Sequence, residues 1–166
     1  MPSTTVQSLS RATTATFEEL ALLFPEHTLS REQAAAPLDV SVSVEFRGPL
    51  HGRLVLRASS NILSSIAANM LGADASRERP LQRDALGEIA NVICGNVLPA
   101  IAGAEAVFHL SAPRLHEGDG GAARDTDSPA ATVMFGVEDG RAESSLYFFG
   151  ERGEAEQPPL SAASAA

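Results

Sequence analysis

The chain has 166 residues, 44% hydrophobic and 20% charged, which supplies apolar material for one sizeable core. Its formal net charge is -9 and all 12 basic residues are arginine. That balance argues against nonspecific attraction to nucleic acid or an anionic membrane, and it leaves no lysine for Schiff-base chemistry. With 7 Phe, 1 Tyr and no Trp the core must be mostly aliphatic, and the single Cys94 can form no internal disulfide, in keeping with a cytoplasmic protein.

Residues 1–11 are polar, without periodicity and without the apolar run of a secretory signal, so they are expected to be a flexible arm. "TFEELALLFP" then predicts a helix. Thr16 stands as N-cap with Glu19 at the capping-box spacing, and the start can lie some residues upstream. Phe17, Leu20, Ala21 and Phe24 form its apolar face, and Pro25 is the expected stop. In "LDVSVSVEFRG" the period changes to two, with Val40, Val42, Val44 and Phe46 pointing one way. "RLVLRAS" repeats the alternation after a Gly/Pro loop, so the pair reads as an antiparallel hairpin.

"SSNILSSIAANMLG" predicts a second helix with Gly72 as its stop, and the charged linker "ADASRERP" leads to a long helix from about 81 to 102. Its Gly, Glu, Asn and Pro residues argue against a membrane span. "AVFHL" follows as a short strand. The Gly- and Asp-rich stretch 117–127 reads as solvated linker rather than a calcium loop. "ATVMFGVEDGRAESSLYFF" predicts a hairpin turning on Asp139-Gly140, and residues 151–166 are expected to be a disordered tail. The sum is one α+β domain over residues 12–150. It has two layers, a mostly antiparallel sheet with long helices packed on one face.

Polar residues are placed oddly in the long helix, "DALGEIANVICGNVLP". At about 100° per residue, Asp84, Glu88, Asn91 and Gly95 fall on one stripe, opposite Leu86, Ile89, Ala90, Ile93 and Val97. Gly95 leaves room for another backbone, while Asn96 falls toward the packed flank and reads as a structural hydrogen-bonder. Pro99 should kink or end the ladder near Gly95. Cys94 reads as a small buried thiol. The four histidines are scattered and gather no metal site. A Glu–x2–Asn pair projects side by side. Asn is neither acid nor base, but its amide can orient a water, and phosphoryl transfer asks for no more when the electrophile comes from elsewhere. Spacing alone also fits an ordinary solvated helix face.

"RDALGEIANVICGN" resembles the signature of the CheC/CheX/FliY family of response-regulator phosphatases: Asp or Ser, then Glu, then Asn, with a Pro some way on that Pro113 in "SAPRL" matches one residue early. "FEELALLFPE", "VSVEFRGPLHGRLVLRAS" and "AANMLG" occupy the places expected of a CheX-like domain, so the resemblance covers roughly residues 10–150. It implies a phosphatase for the aspartyl phosphate of a CheY-like receiver in chemotaxis or another two-component pathway. Asn91 would hold the water in line, Glu88 would pair with the receiver's lysine, and Asp84 and Gly95 would contact the partner. No cofactor or metal of its own is implied, since the receiver brings Mg2+. One site rather than two is expected, because the helix around Asn61 and Asn69 has no Glu. A homodimer formed through the sheets is implied as well. The alternative is a module of the same fold that docks a response regulator or flagellar-switch partner without hydrolysis.

Overall fold

The computed structural model describes residues 3–117 and 128–149. The alternating segments become β1 (Val40–Arg47) and β2 (Gly52–Ala58), paired antiparallel with Val44 opposite Leu54. Period-2 geometry sends Val40, Val42, Val44 and Phe46, with Leu54, Leu56 and Ala58, to one face, and all are buried there. β6 (Gly140–Phe148) pairs with β2 and β5 (Ala131–Val137) with β6. On the other side of β1 lie β3 (His109–Leu110) and β4 (Arg114–Glu117). The sheet is antiparallel throughout, in the order β3-β1-β2-β6-β5 with β4 beside β1. β4 begins in the stretch that follows the expected short strand, where four residues with a single apolar one among them show no period.

The last hairpin turns one residue earlier than expected. Val137 pairs with Gly140, so the two loop residues are Glu138 and Asp139, with Glu138 at φ 50°. Gly140 is required for another reason: a Cβ there would lie 2.4 Å from Asn61 Oδ1 and 2.8 Å from Ser59 Cβ. The glycine lets residues 59–62 press against the hairpin.

Among the described residues four α-helices complete the fold: α1 (Thr4–Leu20), the one-turn α2 (Arg31–Ala35), α3 (Leu63–Leu71) and α4 (Arg79–Ala102). α1 and α4 pack on each other and on the valine face of the sheet, and α3 packs on α4. α1 starts well before Thr16, capped by Ser3, whose side chain accepts from the Val6 N–H at 3.1 Å. Residues 4–11, expected as an arm, are thus its first two turns. The buried stripe is Leu9, Ala12, Thr13, Thr16 and Phe17, spaced as a helix face requires but filled in part by threonine. Thr13 Oγ1 donates to Ser144 Oγ at 3.0 Å and Thr16 Oγ1 to the Ala12 carbonyl at 2.7 Å, so neither buried hydroxyl is stranded. The chain leaves α1 at Leu22, a leucine at φ 54°, before Pro25 is reached. α2 is closed by a reciprocal capping box of Ser30 and Gln33. Gly72 ends α3 at φ 107°, as expected.

α4 does not stop at Pro99. It runs on to Ala102 and ends at Gly103, whose φ of 109° suits glycine. An 18-residue window of it has mean hydropathy 1.5, which by length and composition alone is enough to cross a membrane. Half of that stretch is buried within the fold, as in the core helix of a globular domain. The expected tail, 151–166, and most of the 117–127 linker lie outside the described residues.

Candidate functional site

Packing decides which side of α4 is left for a partner. Leu86, Ile89, Ala90, Ile93 and Val97 are fully buried against sheet and helices, as their spacing requires. Asp84, Glu88 and Gly95 are exposed on the opposite side and Asn91 is half-buried. The helix brings all four predicted residues onto one outward ridge, within about 60° of arc. Glu88 and Asn91 stand about 4.5 Å apart along the axis, three residues at the α-helical rise. Among the described residues neither side chain has a hydrogen-bond partner within the fold, so the carboxylate and the amide keep their full bonding capacity for something outside.

Two neighbours of the ridge differ from expectation. Asn96 is exposed and makes no side-chain hydrogen bond among the described residues, so it is a surface residue rather than a structural one. Gly87 is buried, because the connection between β3 and β4 brings Pro113 against it. The sequence pointed to Pro113 but gave no sign of what it touches. A glycine inside an apolar helix is the available signal, since it costs helix propensity and so asks for a close neighbour.

Cys94 is fully buried, and desolvation lifts its thiol from the ordinary 9.0 to about 12, which leaves it neutral and unreactive. The histidines stay apart: His27 packs edge-on against Phe135 and His51 against Phe149, while His109 and His116 lie on β3 and β4. Among the described residues no group of three His, Cys, Asp or Glu could hold a metal ion. A shallow cavity of about 360 Å³ lies between α1 and β5, lined by Val6, Ser10, Arg11, His27, Val133 and Phe135, and shares no residue with the ridge. The ridge carries a side-by-side pair of polar groups, Glu88 and Asn91. It can orient a water and grip a cation, and it offers no nucleophile.

The comparisons with known proteins agree with this architecture. Similar structures include the chemotaxis protein CheX from Desulfovibrio desulfuricans, at 23% identity and TM-score 0.69, covering 87% of this chain and 98% of that one. CheX from Vibrio vulnificus has 20% identity and TM-score 0.70, with 89% and 99% covered. The CheX–CheY–BeF3–Mg2+ complex from Borrelia burgdorferi has 16% identity and TM-score 0.61, with 86% and 96% covered. These identities carry the fold alone. No curated protein matches the sequence. The family model described as chemotaxis phosphatase CheX matches residues 40–136, from β1 through α4 to β5. On that match, which spans more than half of the chain, the protein belongs to the CheX family of chemotaxis phosphatases.

Proposed function

We propose that the protein is a phosphatase for the aspartyl phosphate of a CheY-like response regulator, with α4 as the element that enters the receiver's active site. The observation that carries this reading is the outward ridge on which Glu88 and Asn91 stand together, neither side chain having a hydrogen-bond partner among the described residues. Asn91 holds a water through its amide, oxygen accepting and nitrogen donating, in line with the phosphorus. The water oxygen bonds to phosphorus as the bond to the aspartyl oxygen breaks, which yields inorganic phosphate and a free carboxylate. The transition state is loose, so placing the water supplies most of what hydrolysis needs. Glu88 pairs with a lysine of the receiver and fixes the approach. Asp84 and Gly95 extend the contact along the same stripe.

The receiver contributes the Mg2+ and the phosphoryl group. The Borrelia complex, whose CheY partner is held with BeF3 and Mg2+, supports that division of labour. The same reading makes the protein a cytoplasmic homodimer joined through its sheets, acting without nucleic acid or membrane.

The test is decay of a phosphorylated receiver from the same organism, with wild type and Asn91→Ala. Acceleration that is lost in the variant by about 100-fold or more, with receiver affinity kept, supports the assignment. Binding without acceleration by the wild type, over the full set of receivers, refutes the phosphatase and leaves a docking module.

A further inference from the structure

Two glycines lie inside α4 below its last turn, and each costs about 1 kcal/mol against alanine. Only one has a reason within the fold. A Cβ at Gly95 would meet nothing within 4 Å, whereas a Cβ at Gly87 would lie 3.2 Å from Cβ and 3.5 Å from Cγ of Pro113. Pro113 belongs to the segment 111–113, which lifts the edge strand off β1 between β3 and β4. The interruption is braced by hydrogen bonds. The Ser111 N–H donates to the Glu45 carbonyl at 2.9 Å, the Glu45 N–H donates to Ser111 Oγ at 2.9 Å, and Ser111 Oγ donates to the Ala112 carbonyl at 3.1 Å. Ser111 thus satisfies both backbone groups of Glu45, and Ala112 and Pro113 are released from the ladder.

Where the released residues go is specific. Gly87 lies one turn before Asn91 and about 40° from it around the helix, against about 100° from Glu88. The proline therefore borders the ridge on the Asn91 side, where Asn91 is half-buried while Glu88 is exposed. Ala112 and Pro113 themselves are exposed. Pro113 thus covers Gly87 with its ring while the residue as a whole stays open to a partner beside Asn91.

We infer that Gly87 is a positioning residue. Its missing side chain lets the 111–113 bulge close against α4, and the bulge forms a wall that sets how deeply a receiver domain seats over Asn91. The partner in this inference rests on the phosphatase reading; the contact does not. A methyl group on Gly87 meets Pro113 closer than ordinary contact, so the bulge must move outward by a few tenths of an ångström and hold the receiver off the ridge.

The test is a double-mutant cycle between Gly87→Ala and Pro113→Gly, read as the Kd for a beryllofluoride-loaded receiver, with kcat, KM and melting temperature beside it. Gly87→Ala is expected to raise Kd and KM about fivefold while kcat changes less than about twofold. In the Pro113→Gly background, which removes the atoms the methyl would meet, the same change is expected to leave Kd within about 1.5-fold. Gly87→Val should exceed Gly87→Ala by a further threefold or so in Kd. Unchanged Kd in folded Gly87→Ala, or an equal effect in both backgrounds, overturns the inference. If the wild type binds receivers without hastening their decay, the phosphatase reading fails while the Kd cycle still decides this one. If no receiver binds at all, both fall.

Discussion

Gly95→Ala separates what α4 does for the fold from what it does for a partner. The position is exposed, sits in the interior of a 24-residue helix, and has nothing within 4 Å of an added Cβ. The substitution removes backbone freedom from the unfolded chain and meets no obstacle in the folded one, so stability should rise by about 1 kcal/mol. For a chain of 166 residues that is a rise in melting temperature of about 2–4 °C. If a receiver's backbone approaches the ridge at Gly95, the same methyl group holds it off, and an affinity loss of about tenfold corresponds to about 1.4 kcal/mol. The expected variant is more stable and a poorer phosphatase. Differential scanning calorimetry and the receiver-decay assay, run on one preparation, read both quantities. A melting temperature that falls would show that the helix is not free there. Full activity at a raised melting temperature would remove Gly95 from the contact surface and leave the ridge ending at Asn91.

Two further outcomes are expected. Thr13→Val leaves Ser144 Oγ without its donor in a fully buried site and should cost about 1–3 kcal/mol in urea unfolding, whereas Thr13→Val with Ser144→Ala should recover most of it. A neutral single variant would show that the pair is reached by water. Cys94, with its thiol raised by burial to about 12, stays protonated in the folded chain where the unfolded chain ionises near 9.0. Stability from this group is therefore intact below pH 9.0 and declines as the pH rises toward 12. Urea midpoints across that range should fall more steeply for wild type than for Cys94→Ala, and parallel slopes would contradict the burial.

The parts of this fold that the sequence revealed are those where one pattern covers many residues. Val40, Val42, Val44 and Phe46 alternate without a break, so β1 and its hairpin partner were legible with their buried face. α4 was legible for the same reason, and the ridge with it, because helix periodicity alone sorts Glu88 and Asn91 away from Ile89 and Ile93. α1 was half missed because Thr13 and Thr16 occupy its buried stripe, where hydrogen bonds to Ser144 and to the Ala12 carbonyl stand in for hydrophobicity. α2 and β4 are too short to leave a periodic trace. The seat of Pro113 on Gly87 joins residues far apart in the chain, and no local pattern records it. Pro99 did not shorten α4, whose end near 102 was legible, because a helix held by its neighbours tolerates one missing hydrogen bond near its end.

The placement of Glu88 and Asn91 on one uninterrupted helix has a consequence for how damage elsewhere is felt. Their spacing is a property of the helical pitch, not of two elements that must be brought into register. Substitutions in the distant core change how many molecules are folded at a given temperature, yet every folded molecule presents the same pair at the same separation. Turnover per folded molecule should stay constant across a series of destabilised variants, and total activity should track the folded population until the whole domain melts.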